Sequence, residues 1–457
     1  MQDILNISAL ELSRQIARRT LAPSEVMAAV LSRIADVNPA LNAIISMRDP
    51  DELMAQARAA DDATPQGWLH GIPWAVKDLV ATKGIRSTWG SPLRKDLIPL
   101  IDDPIVTSLK SAGAIIIGKT NTPEFGLGSH SFNPLFGVTR NPYDATRTAG
   151  GSSGGAGAAL AARMLPLADG SDMMGSLRNP AAWNCVYSLR PTAGTMPDGP
   201  NSTPYSHTLS TLGPMARDVA DLEALQVTLS GGHHRAGAQP DAALRIGWLG
   251  DWDGAFPMDP DLLAQNATAL ATFRDLGCAV SDVAPPMDAE DLWRSWIDLR
   301  SVTIGWDKGQ YHGTPDWDQL KPEMQWEITR GITMPGAQLQ AALALRRNWL
   351  AVLDRLWSQF DMLVLPATQV WPFPVEWRYP AEIAGQKMDT YHRWMHVVVP
   401  VALAGIPAVT LPTGFGANGL ASGVQVFGPA SSDAQLLALA RRYQGAVDWT
   451  ASHPPTL

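Results

Sequence analysis

Cysteine is scarce. Cys185 and Cys278 are the two that occur in 457 residues, which excludes a disulfide framework and a CxxC metal motif and leaves two buried thiols in a reducing compartment as the plain reading. Positive charge is in deficit: 35 Lys+Arg stand against 44 Asp+Glu, a formal net charge of -9. Binding phosphate needs clustered basic residues, so nucleic acid is not an expected partner. Long hydrophobic runs are missing as well. The longest, residues 396–404, is cut off by Gly405 and Pro407, and no membrane span is expected. Met1-Gln2-Asp3 opens the chain without a basic segment or an apolar stretch, so no secretory signal is read and a cytoplasmic location is expected. No internal repeat or low-complexity tract occurs. Residues 231–241, rich in Gly, His and Ala, read as a surface connection, and the chain is expected to form a single domain over residues 1–457.

Hydrophobic residues make up 46% of the chain, enough for a sizeable core. Residues 8–37 read as two amphipathic helices. Ser8 caps the first, with Glu11 three residues on, and Pro23-Ser24 starts the second. Residues 71–76 read as a turn followed by a short buried strand that ends at Lys77-Asp78, and further apolar strands are expected at 114–117, 164–168, 244–249, 362–365, 408–411 and 423–427. Helical patterns lie at 104–112, 156–162, 215–229, 259–276, 336–358 and 433–443. This alternation predicts an α/β layered fold with a largely buried sheet.

Two local motif matches fail on their context. Residues 113–120, Gly-Ala-Ile-Ile-Ile-Gly-Lys-Thr, fit the P-loop pattern letter by letter. A phosphate cradle needs a flexible loop opening a helix, whereas Ala-Ile-Ile-Ile is a strand core followed by the turn Asn121-Thr122-Pro123. Gly151-Ser152-Ser153-Gly154-Gly155, or its register shifted by one, fits a G-x-S-x-G nucleophile elbow. That elbow follows a strand, and residues 140–147 do not read as one.

A third pattern is spread along the chain. Its parts are Gly71-Ile72-Pro73 with Lys77-Asp78, and Gly118-Lys119-Thr120-Asn121-Thr122-Pro123-Glu124-Phe125. Then come Gly150-Gly151-Ser152-Ser153-Gly154-Gly155, the run from Gly170-Ser171-Asp172 through Met173-Met174-Gly175-Ser176-Leu177-Arg178-Asn179-Pro180, and Leu189-Arg190-Pro191-Thr192. In this order and spacing the sequence closely resembles the amidase signature family. Weaker resemblance extends to the N-terminal helices and to residues 405–412. The resemblance implies a mixed, largely buried β-sheet covered by helices on both faces. It also implies a helical N-terminal part (about 1–65), a signature core (about 66–200) and a variable part that shapes the substrate site (about 230–395).

The family's Ser–Ser–Lys triad maps onto Ser176 as nucleophile, Ser152 as bridging serine in a cis peptide, and Lys77 as base. The backbone N–H groups of Met173, Met174, Gly175 and Ser176 map onto its oxyanion hole. The residue types suit the chemistry. A serine hydroxyl needs a base, and a lysine is a base only when neutral, with its pKa brought from about 10.4 toward roughly 7–8. Burial among hydroxyls does this. Asp172 and Arg178 read as a framework pair fixing the nucleophile loop. No metal and no cofactor is implied. Two departures stand out: Met174 and Ser188 occupy positions where the family commonly has Gly.

Ten of the 17 tryptophans lie between Trp293 and Trp394. Most read as core packing, with a few lining an apolar cleft for an aryl or otherwise apolar N-substituted amide. Trp89, Trp183, Trp306 and Trp326 are the ones singled out, Trp183 as packing beneath the nucleophile. Asn121, Ser129, Ser131, Trp306 and Trp326 are the candidate substrate-binding residues. The expected partner is a small-molecule amide, with homo-oligomerisation left open. Three other readings stand beside the amidase: the glutaminase subunit of an amidotransferase, an esterase or carbamate hydrolase on the same triad, and a non-catalytic scaffold.

Overall fold

The computed structural model describes residues 2–197, 209–232 and 243–457; most of the connection expected at 231–241 falls outside them. An eight-stranded mixed sheet runs through the centre. Its strands, in spatial order, are Ala279–Asp282, Arg245–Trp248, Met362–Pro366, Ala421–Phe427, Ala408–Phe415, Tyr187–Arg190, Thr211–Ala216 and Leu167–Asp172. The first three are mutually parallel; the remaining neighbours pair antiparallel.

Helices cover both faces, and the period-2 geometry of a strand shows why. Along Met362–Pro366, Met362 and Val364 enter one apolar cluster while Leu363 and Leu365 enter the other. The first cluster is completed by the N-terminal helices and by Val219–Leu229, Leu262–Asp275 and Asp433–Ala446. The second is completed by Ala289–Lys308, Gly336–Trp357 and Val399–Ala404. Trp293, Trp296, Trp349 and Trp394 are all buried in this second cluster, so these tryptophans build core.

A smaller sheet carries the first part of the site. Pro73–Lys77 runs parallel to Ile115–Thr120, which pairs antiparallel with Ile44–Ile45. The P-loop-like residues therefore form a strand. Asp169, on the edge strand of the large sheet, links the two sheets. Its carboxylate accepts from Trp74 Nε1 at 3.0 Å and from the Lys77 amide at 3.2 and 3.3 Å.

Several expected boundaries move. Ser8 caps Ala9–Ala17, and Pro23 opens Pro23–Leu41, as read from the sequence. The strand expected at 164–168 starts at Leu167 and runs to Asp172, because the Met164 and Leu165 amides still bond back to Ala159 at the end of the preceding helix. The helix expected from 215 starts at Val219, where Asp218 accepts from the Ala220 and Asp221 amides; residues 211–216 are sheet instead. The strands Tyr187–Arg190 and Ala279–Asp282 and the helices Ala289–Lys308 and Pro322–Ile332 are additional to the expected set, and residues 140–147, not read as a strand, supply the paired strands Arg140–Asn141 and Asp144–Thr148. No helix among the described residues is long and apolar enough to cross a membrane.

Candidate active site

Lys77 ends the strand Pro73–Lys77 and is fully buried. Its Nζ donates to Ser152 Oγ at 2.8 Å, Ser153 Oγ at 2.8 Å and Ser171 Oγ at 2.9 Å. Burial lowers the lysine to about 7, against the opposing pull of Asp169 and Asp172. A group titrating there is about half unprotonated at neutral pH. A neutral amine has two N–H donors and one lone pair, which three hydroxyl neighbours can satisfy.

Ser152 sits at the start of the helix Gly154–Ala161, after a Gly151–Ser152 peptide bond that is cis. The loop has little room: a Cβ on Gly151 would lie 2.9 Å from the His130 amide nitrogen. Ser129 and Ser131 clamp this loop from the side. Ser129 Oγ donates to the Gly151 carbonyl and accepts from Asn179 at 3.0 Å. Ser131 Oγ accepts from the Gly154 amide at 3.1 Å.

Ser176 lies between the strand Leu167–Asp172 and the helix Arg178–Trp183, 9% exposed. Ser152, Ser171 and Ser176 line one cleft of about 120 Å³, together with Leu79, Phe125, Met173, Met174, Arg300, Tyr391 and His392. Burial opposes ionisation of Asp172, but Arg178 and Arg190 outweigh it and hold that carboxyl well below the usual range. The Gly175 amide is taken up by Asp172 Oδ1 at 2.9 Å. The amides of Met173, Met174 and Ser176 meet no acceptor among the described residues.

Gly175 adopts φ 79°, and a Cβ there would meet Asn179 Oδ1 at 2.7 Å, so glycine is required. Met174 is not among the positive-φ positions. Its departure from glycine is therefore tolerated by the backbone, and its side chain lines the cleft while packing into the second core cluster. Ser188 is buried, donating to the Leu177 carbonyl at 3.1 Å and meeting Thr410 Oγ1 at 3.0 Å.

The remaining sequence candidates lie elsewhere. Asn121 is buried as a structural tie, donating to Thr139 Oγ1 at 3.0 Å and accepting from Asn133 at 2.8 Å. Trp306 is 67% exposed and outside the cleft. Trp326, 38% exposed, packs edge-on against Tyr391 and His392, behind the lining. Trp183 packs against Trp394 and Phe373 and donates to the Val370 carbonyl at 3.1 Å. Trp89 lines a neighbouring cavity.

Sequence reasoning passed over Ser171 and Ser153 as partners of Lys77. Ser171 is two residues from Asp169 on one strand, so both point to the same side, a signal that was available. It also missed a polar wall. Arg300 Nε donates to Glu327 at 2.6 Å and Nη2 to Tyr391 Oη at 3.1 Å, while Tyr391 Oη donates to Glu327 at 2.9 Å. These residues come from a stretch with no motif. No cluster of three or more His, Cys, Asp or Glu that could hold a metal ion occurs among the described residues.

The sequence matches the family model described as Amidase over residues 25–437. It is 33% identical to a glutamyl-tRNA(Gln) amidotransferase subunit from Thermus thermophilus, over 96% of this chain and 97% of that protein. It is 31% identical to an acylamidase from Rhodococcus erythropolis, over 99% of this chain and 98% of that protein. Among solved structures, a 6-aminohexanoate cyclic dimer hydrolase complexed with substrate is similar with a TM-score of 0.86 and 26% identity, covering 98% of this chain and 99% of that one.

Proposed function

The chain belongs to the amidase signature family and is a hydrolase of carbon–nitrogen bonds, and from that premise we propose that Ser176 is its nucleophile, Ser152 its proton relay and Lys77 its base. The observation that carries this is a buried Lys77, lowered to about 7, 2.8 Å from a serine that shares a cleft with Ser176.

In the first half-reaction Lys77 Nζ takes the Ser152 proton, Ser152 Oγ takes the Ser176 proton, and Ser176 Oγ bonds to the amide carbon. The carbonyl π-electrons move onto oxygen. The free amides of Met173, Met174 and Ser176 are the candidate donors to that oxyanion; one such donor is typically worth about 2.7–4 kcal/mol of barrier. The intermediate then collapses. The C–N bond breaks, and its electron pair leaves on nitrogen with the proton from Ser152, which Lys77 replaces. Protonation at this step matters because an amide anion is a poor leaving group. Water, deprotonated through the same chain, attacks the acyl-enzyme. The carboxylic acid leaves and Ser176 regains its proton.

The proposed substrate is an apolar N-substituted carboxamide, an assignment supported by the apolar residues Leu79, Phe125, Leu127 and Ile304 of the cleft. The experiment is labelling with a fluorophosphonate serine probe and peptide mapping, beside amide hydrolysis by Ser176→Ala. An unlabelled Ser176 together with a fully active variant sinks the mechanism.

A second reading is favoured by the amidotransferase relative: release of ammonia from glutamine in a complex with other proteins. Hydrolysis confined to glutamine and dependent on added partner proteins would support it. Steady hydrolysis of N-substituted amides by the isolated chain would exclude it as the sole activity.

A further inference from the structure

The catalytic cleft does not end at the serines. A second cavity of about 250 Å³ adjoins it, with Trp89, Met324 and Leu212 among its own lining residues. Leu79, Phe125, Leu127 and Ile304 line both spaces, so the two adjoin across these four side chains. We infer that this second cavity is the leaving-group pocket, holding the apolar amine half of the substrate, with the acyl half toward Met173, Arg300 and Tyr391. The inference rests on the proposed Ser176–Ser152–Lys77 reading and adds a direction to it.

The direction comes from where the proton must go. Only the leaving nitrogen receives a proton as the C–N bond breaks, and Ser152 delivers it, so the amine arm has to pass beside Ser152 Oγ. At that side stand Gly126 and Leu79. A Cβ placed on Gly126 would lie 3.5 Å from Ser152 Oγ and 2.7 Å from a Leu79 methyl. Gly126 thus lets Leu79 pack closely beside Ser152, and Leu79 lines both the catalytic cleft and the second cavity. The polar wall lies on the nucleophile-loop side, where Arg300 Nη1 is 3.1 Å from the Met173 sulfur.

The cavity has features of a binding site as well as of a packing gap. Trp89 and Phe125 both have positive φ, 55° and 50°, a conformation rare for bulky residues and often found near functional sites. The Phe125 amide donates to the Trp89 carbonyl at 2.8 Å, locking the two together. The Arg94 guanidinium at 3.6 Å and Lys308 Nζ at 5.2 Å from the Trp89 ring centroid fix that wall. Trp89 Nε1 and Asp103 Oδ1, from two lining residues, are buried without a partner among the described residues, an unusual state for polar atoms in a filled interior.

The test uses the full chain and two isomers, N-pentylacetamide and N-methylhexanamide, which differ only in which arm is long. Burying four extra methylenes on the amine side predicts a kcat/KM for N-pentylacetamide roughly 10-fold or more above that for N-methylhexanamide. Leu212→Trp, which fills the second cavity from a half-buried position, should remove that preference. Equal or reversed preference in the unaltered protein overturns the inference, whether or not the variant folds. So does a preference that survives a folded Leu212→Trp. Turnover of N-methylacetamide lost in Ser176→Ala keeps the mechanism standing in those cases; no turnover of any amide overturns the mechanism and the pocket together.

Discussion

Asp172 Oδ2 and Oδ1 accept from Arg178 Nε and Nη2, each at 2.9 Å, with neither side chain exposed. The same carboxylate accepts from the amides of Gly175 at 2.9 Å and Leu177 at 3.2 Å, the residues on either side of Ser176. Arg190 reaches both the Asp172 carbonyl and its carboxylate. The backbone of the proposed nucleophile is thus held from both sides by one buried anion, which two cations keep ionised.

Asp172→Asn should therefore unfold or loosen the protein well before it alters any reacting group. It leaves two buried guanidiniums without their counter-charge, a change that costs about 3–5 kcal/mol when one partner of a buried pair is removed. Urea denaturation measures it, and a loss under about 1 kcal/mol would contradict the framework role. The pH sign follows from the lowered folded value. An unfolded aspartate titrates near 3.9, so this stabilisation is complete above about pH 4 and is lost as pH falls through the depressed folded value.

For Lys77, the pH sign concerns rate. The base works only when neutral, and burial lowers it from 10.5 to about 7. Amide kcat/KM should rise from acid toward alkaline pH with a midpoint near that value and then level off. A flat profile between pH 5 and 9, with the protein folded, would rule out Lys77 as the titrating base.

Lys77→Ala should also separate amides from esters. An ester's alkoxide leaves more readily than an amide anion, so it depends less on the returned proton. Loss of general acid–base catalysis is worth about 100-fold to 10,000-fold, and the amide loss should exceed the ester loss. Parallel assays on an amide and an ester with a common acyl group read the difference; equal losses would leave the relay without support.

The legible and the illegible parts of this chain differ in physical kind. Ser152, Ser176 and Lys77 stood out in the sequence through motif runs that resemble the family's, and the structure brings Lys77 to 2.8 Å from Ser152 and Ser152 into one cleft with Ser176; Gly175, with its φ of 79°, shows why one such run needs its glycine. The sheet was readable where one strand faced two cores, as in Met362–Pro366. Tyr187–Arg190 and Thr211–Ala216 were not, because Arg190, Ser188 and Pro214 break the apolar pattern for tertiary reasons: Arg190 meets Asp172, and Ser188 meets Thr410. The polar wall was invisible for a related reason. Arg300 and Glu327 lie on two helices, with Tyr391 far along the chain, and only packing brings them together. Trp306 and Trp326 were chosen by residue type within the variable region, and neither type nor region tells an exposed indole from a lining one.

Ser188→Gly restores the residue common in the family at that position. It removes the hydroxyl between the Leu177 carbonyl and Thr410, and a central strand loses a side chain. Together these should cost about 1–2 kcal/mol, read as a shift of the urea midpoint, with the rate of fluorophosphonate labelling at Ser176 changed less than ~3-fold, under the ~10-fold that 1.4 kcal/mol would give. A large drop in labelling would mean that Ser188 positions the nucleophile loop through Leu177.

Met174→Ala separates the residue's two contacts. Its backbone has no positive φ, so alanine fits without strain. Its side chain is buried with Trp183 and Val398 in one cluster and lines the catalytic cleft. Truncation should cost about 2–5 kcal/mol through the cavity left behind. It should also enlarge the cleft on the nucleophile-loop side, where the acyl half is assigned. The expected result is a rise in kcat/KM for branched acyl groups relative to acetyl, with little change as the amine arm is varied. If the variant instead altered selectivity along the amine series alone, the two halves of the substrate would have to be exchanged between the two ends of the cleft.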